Sequence, residues 1–117
     1  MLLIIPAIDI QNGVSAYPIE GLGGGGNDVG ADPVEIARLL RIENAKTLHV
    51  TDLDGARLGR FIQFDLVNRI FSCVDIPIEI SGGISSEEDA ERLLGMGACR
   101  IVLRPGLIEE QRDTAGR

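Results

Sequence analysis

Aromatic residues are nearly missing from this chain, which has no Trp, one Tyr and three Phe. With 44% hydrophobic residues, its core must be assembled from Ile, Leu, Val and Ala, the usual composition of parallel strands covered by helices. Histidine and cysteine are equally scarce. One histidine, His49, and two cysteines, Cys73 and Cys99, form no CxxC pair and have no clustered His partners, so neither a disulfide framework nor a metal site is expected. Both thiols read as packing groups. Basic charge is in deficit, with 11 Lys and Arg against 18 Asp and Glu. The net charge of −7, with no basic stripe to override it, disfavours a nucleic-acid partner. Long apolar runs are also absent. The longest, residues 1–10, is interrupted by Pro6, closes with Asp9 and falls short of the roughly 20 residues needed to span a bilayer. It also lacks the basic start and small-residue cleavage site of a signal peptide. These absences lead to the expectation of a cytoplasmic protein without membrane, nucleic-acid or metal partners.

What is present is alternation of strand and helix signals. Near-continuous apolar runs at residues 2–10, 47–53, 76–80 and 100–103 read as strands buried on both faces. Between them, residues 33–44 open with Asp32 as N-cap and Pro33 at the first helical position. Residues 63–73 place Phe64, Val67, Ile70 and Phe71 at helical spacing. Residues 86–96 follow a capping-box pattern assigned to Ser85 and Glu88. This βαβαβαβ order predicts an α/β fold with parallel crossovers. A complete (β/α)8 barrel needs roughly 250 residues, so 117 residues accommodate half of one, a single (β/α)4 domain over 1–117. The outlier is residues 12–31, a glycine-rich connection with no GK[ST] and hence no P-loop. It reads as a mobile surface loop or as an active-site lid.

Chemistry in such folds gathers at the C-terminal rim of the strands. Asp9 ends the first run there, aligned by alternation with Ile5 and Ala7, and is suited either to proton transfer or to capping a loop. Asp52 and Asp54 end the second run, and Asp54-Gly55 has turn chemistry, leaving Asp52 as the better site candidate. His49 lies within that strand, where an imidazole is either a satisfied core group or a catalytic one. Ser81-Gly82-Gly83 joins the third strand to a capped helix, so it forms either a phosphate seat of backbone N–H groups or a tight turn.

Taken together, Ile5-Pro6-Ala7-Ile8-Asp9-Ile10, Asn12-Gly13, Asp32-Pro33, the stretch from Leu48 to Ala56 reading LHVTDLDGA, and Gly82-Gly83-Ile84 resemble one family in order and spacing. It is the phosphoribosylformimino-aminoimidazole carboxamide ribotide isomerase family of histidine biosynthesis. The resemblance spans nearly the whole chain and about half of the family's enzyme. It implies a TIM barrel and an Amadori rearrangement of an aminoaldose to an aminoketose, without metal or organic cofactor. One carboxylate would act at the sugar C2, a second acid would open the ribose ring, and two phosphate seats would hold the substrate. By resemblance, Asp9 matches the first carboxylate, His49 and Asp52 line the site, and Ser81, Gly82 and Gly83 belong to one phosphate seat. The family's second carboxylate stands on a fifth strand. Ser85 replaces the Arg that usually follows GGI, and Arg104-Pro105-Gly106 replaces a GT phosphate motif, with Arg104 a compensating phosphate contact.

Three readings stay open: an isomerase site assembled from two half-barrels, a catalytically silent half-barrel scaffold, and a module that binds a phosphorylated sugar or ribonucleotide-like molecule. Each is expected to form a homo-oligomer, because half a barrel would expose inner side chains, expected to include Ile5, Ala7 and Val50, together with free edges on the first and fourth strands.

Overall fold

The computed structural model describes residues 4–17 and 31–103. In chain order these form β1 (Ala7–Gln11), β2 (Val14–Ser15), α1 (Pro33–Ile42), β3 (Leu48–Asp52), α2 (Leu53–Leu58), α3 (Phe64–Cys73), β4 (Ile78–Ser81), α4 (Glu87–Met96) and β5 (Arg100–Ile101). The glycine-rich connection is thus described only at its two ends. Arg104, Pro105 and the segment that follows lie outside the described residues.

Strands β1, β3, β4 and β5 lie side by side in chain order, every pair parallel. A doubly wound sheet reverses direction at a switch point; here each strand adds to the same edge. Burial then assigns the faces. Ile8, Ile10, Leu48, Val50, Ile78 and Ile80 are at most 2% exposed and cluster with Val34, Ile36 and Ala37 of α1, Leu66, Val67 and Ile70 of α3, and Leu93 of α4. Each Ile, Leu or Val among them contributes roughly 1.5–3 kcal/mol through removal from water. The helices therefore cover one face, while the intervening residues of β1, β3 and β4 point to the other. This is the half-barrel α/β arrangement. Val50 belongs to the helix-covered core and not to the inner face, because the period of two that points Ala7 and Asp9 inward pairs them with His49 and Thr51.

Two elements were not anticipated. After β1 the chain turns through Asn12 (φ 56°) and Gly13 (φ 76°) and returns as β2, antiparallel to Ile10 and Gln11. Positive φ at both central positions suits the twist of a two-residue hairpin, and Asn-Gly is its preferred pair. The edge of β1 is consequently covered at this end. The second is α2, a six-residue helix starting directly at the end of β3. Asp52 caps it by accepting the N–H of Gly55, and Gly59 (φ 81°) closes it in the left-handed conformation.

Helix ends moved slightly from the sequence pattern. The cap of α4 is Ser86, whose hydroxyl accepts the N–H of Asp89 at 3.1 Å, one residue beyond the expected Ser85 and Glu88 pair. Asp32 caps α1 through the N–H of Val34, as its Asp-Pro signal indicated. Cys73 is half-buried against the carbonyl of Ile70, but Cys99 is exposed and does not pack in the core.

Candidate active site

The inner face of the sheet carries polar side chains in two rows set by register. Ala7, His49, Glu79 and Arg100 are successive partners across β1, β3, β4 and β5, and Asp9, Thr51 and Ser81 form the next row toward the C-terminal rim. Within these rows the His49 imidazole bridges two residues of β4. Its Nδ1 lies 2.9 Å from Glu79 Oε1 and its Nε2 lies 3.0 Å from Ser81 Oγ. Ser81 Oγ also meets Thr51 Oγ1 at 2.9 Å, and Arg100 donates to Glu79 Oε2 at 2.6 Å. The Glu79 carboxyl is held below its ordinary value, first by the hydrogen bond with His49 and then by the charge of Arg100, against the opposing effect of burial.

Asp9 is half-buried beside Thr51, and among the described residues its carboxylate makes no hydrogen bond. Its backbone carbonyl accepts the N–H of Ala16, which holds the hairpin over the end of β1. A carboxylate left without a partner among these residues is available to a bound molecule.

Asp52 has the opposite fate. It is 0% exposed and faces the helices, and its carboxylate accepts N–H groups from Gly55 at 2.8 Å, Ile62 at 2.8 Å and Gln63 at 3.0 Å. The structure thus separates Asp52 from the inner-face row and gives it the work of closing β3 onto α2 and α3. Asp54 is likewise structural. It accepts the N–H groups of Asn12 and Gly13 and the side-chain amide of Gln63, and the backbone hydrogen bond from Asn12 leads the causes that hold its carboxyl below the ordinary range.

Ser81, Gly82 and Gly83 form a turn packed tightly against the end of β3 and the start of α2. Gly82 (φ 106°) and Gly83 (φ 77°) both need the left-handed region. A Cβ on Gly82 would collide with the backbone of Asp52, and one on Gly83 with the carbonyl of Gly55. These glycines permit close approach of two chain segments, and the Ser81 side chain is left on the open face. The first turn of α4 carries Glu87, Glu88 and Asp89, whose charges oppose an anion at that helix end. Any phosphate seat here must be built from the turn itself.

The structure brings Asp9, His49 and Ser81 onto one face with Thr51, Glu79 and Arg100, and it keeps Asp52 apart. Sequence reasoning missed Glu79, although its signal was present: a charged residue inside the apolar run Ile-Pro-Ile-Glu-Ile, two residues from Ser81 and therefore on the same face. Among the described residues, no group of three or more His, Cys, Asp or Glu side chains is placed to hold a metal ion, and no helix is long and apolar enough to cross a membrane.

A parallel half-barrel with a polar inner face and, at its C-terminal rim, an aspartate without a side-chain partner among the described residues defines the α/β-barrel class of architecture. Sequence comparison narrows that class: the chain belongs to the histidine biosynthesis protein family, whose model matches residues 3–112. It is 40% identical over 115 residues to the 1-(5-phosphoribosyl)-5-((5-phosphoribosylamino)methylideneamino)imidazole-4-carboxamide isomerase of Pelotomaculum thermopropionicum, covering 93% of this chain and 44% of that protein. The isomerases of the same description from Prosthecochloris aestuarii and Chloroherpeton thalassium are 41% and 42% identical, over 93% and 92% of this chain and 44% and 41% of theirs. The chain therefore spans less than half the length of these curated relatives.

Proposed function

We propose that this half-barrel supplies the first half of an isomerase site that converts a phosphoribosyl aminoaldose to the aminoketose by Amadori rearrangement, within cytoplasmic histidine biosynthesis. The observation carrying this reading is Asp9, a rim carboxylate beside Thr51 that accepts no hydrogen bond among the described residues. As base it would move the proton at the sugar C2, with His49 and Ser81 lining the sugar side of the site, and Gly82 and Gly83 shaping one phosphate seat. Arg104 would add a charged phosphate contact. No organic cofactor or metal enters this chemistry.

A second acid is required for ring opening, and we assign it to another segment brought against the open face, for which a second copy of this chain is the simplest source. In a two-fold arrangement the second Asp9 would stand opposite the first. The test is turnover of the aminoaldose by the native chain, with Asp9→Asn as control. Turnover abolished by that substitution supports the reading; absence of turnover in the native chain, with ribose 5-phosphate still bound, replaces it with a sugar-phosphate-binding module.

A further inference from the structure

We infer that Thr51, Ser81, His49 and Glu79 form a hydrogen-bond chain of one fixed direction, in which Glu79 is the positioning residue that keeps the His49 Nε2 unprotonated toward Ser81. The inference deepens the proposed function, because it assigns the substrate-facing end of the chain a chemistry, but its main test is independent of turnover.

The direction follows from the Arg100 end. Arg100 lies 2.6 Å from Glu79 Oε2 and favours the ionised carboxylate, which can only accept. Glu79 Oε1 stands 2.9 Å from His49 Nδ1. A lone pair on Nδ1 at that distance would face a carboxylate lone pair in a half-buried setting, so the neutral imidazole must carry its proton on Nδ1. Its Nε2 is then an acceptor, and the hydroxyl 3.0 Å away on Ser81 donates to it. Ser81 has a single proton. With that proton directed to Nε2, the 2.9 Å contact between Ser81 Oγ and Thr51 Oγ1 has Thr51 as donor. Thr51 has likewise committed its only proton, and its lone pairs remain on the face it shares with Asp9, its register partner on β1.

Two consequences bear on the substrate. Thr51 presents an acceptor, so this part of the face selects a group that donates, such as a sugar hydroxyl, over an acceptor-only carbonyl. The chain can also carry a proton. A hydroxyl bound at Thr51 gives its proton to Thr51 Oγ1, Thr51 gives its own to Ser81, and Ser81 gives its own to His49 Nε2. The electron pair stays on the substrate oxygen, and the resulting imidazolium is balanced by Glu79. Reversal of the same steps returns the proton. The charged groups around His49 are Glu79 from β4, Arg100 from β5 and, two residues along β1 from its partner Ala7, Asp9.

The chain has one histidine, so its ring nitrogens can be read without ambiguity. The experiment is long-range 1H–15N correlation on the uniformly 15N-labelled full chain at about pH 8.5, above the ordinary imidazole value of about 6.5. The native protein should show a protonated Nδ1 and an unprotonated Nε2. Glu79→Leu should move the proton to Nε2, and Ser81→Ala should leave it on Nδ1, because the carboxylate and not the hydroxyl sets the tautomer. A native Nε2–H tautomer, or an unchanged tautomer in Glu79→Leu, overturns the inference; if Glu79→Leu does not fold, the native and Ser81→Ala spectra decide it. Ribose 5-phosphate added to the native chain should shift Nε2, and Thr51→Val should remove that shift while binding persists. A shift retained in Thr51→Val refutes the substrate-facing assignment, whereas loss of all ribose 5-phosphate binding to the native chain counts against the proposed function and leaves the tautomer result standing.

Discussion

The Asp54 carboxylate accepts the N–H of Asn12 at 2.8 Å across 42 positions of sequence, and the N–H of Gly13 at 3.2 Å. One buried side chain of α2 thereby holds the hairpin turn that follows β1, and with it the strand end that presents Asp9. Removing this acceptor in Asp54→Ala leaves two backbone donors without their partner. The expected loss is about 3 kcal/mol of unfolding free energy, read by urea titration.

The same contact predicts an acid limit. The carboxyls of Asp54 and Glu79 are both lowered on folding, so the unfolded chain binds protons at higher pH than the folded one. Their contribution is fully present above the ordinary carboxylate range of about 4 and is lost as pH falls below it through the folded values. Asp54→Asn should flatten stability against pH in that window. An acid-unfolding curve of unchanged slope would refute the assignment.

Two glycine substitutions should have opposite signs. Gly83→Ala forces a side chain into the left-handed region and against the carbonyl of Gly55, with an expected cost of at least about 3 kcal/mol. Gly95, inside α4, has no atom within 4 Å of an added Cβ. Gly95→Ala should therefore raise stability by roughly 0.5–1 kcal/mol. Thermal unfolding of both variants checks the pair. It follows that substitution of Gly83 is a poor probe of phosphate binding, because the fold suffers first.

For the helix-covered face, Ile80→Ala removes a side chain that is 0% exposed between β3 and β5 and should cost about 3 kcal/mol, chiefly through the cavity it leaves. The opposite face calls for a different measurement. Ile5, just before β1, is 38% exposed, and self-association is expected to cover it with the inner face. Sedimentation equilibrium should show an oligomer at micromolar concentration; a stable monomer would remove the shared-site form of the proposed mechanism.

The parallel strands and the three longer helices were legible because their signals are local: apolar runs, the Asp32-Pro33 start and the glycines that end α4. The hairpin was also written locally, in Asn12-Gly13 between short segments able to pair, but it lay at the start of a glycine-rich stretch that reads as one loop. The helix α2 was hidden by Asp54-Gly55, whose turn preference is satisfied inside a helix only because Asp52 caps it and Gly55 fits where a Cβ would strike Asp52 and Arg60. The roles of Asp52 and Asp54 depend on donors from elsewhere in the chain, including Ile62, Gln63 and Asn12, and spacing within LHVTDLDGA does not reveal these. Asp9, His49 and Ser81 shared a face by simple alternation. Glu79 shared it too, but a carboxylate within an apolar run gains meaning only when its partners His49 and Arg100 are known.

The polar rows also proofread assembly of the sheet. Parallel strands rich in Ile and Val offer many pairings of nearly equal hydrophobic value, and a slip of one residue inverts the faces of a strand. If β4 slipped by one position, Glu79 would turn under the helices without Arg100 or His49, and Ile78 and Ile80 would turn toward water. An unpaired buried carboxylate is among the more expensive errors a chain can make. The residues that equip the inner face for chemistry are therefore also the ones that penalise a misregistered sheet.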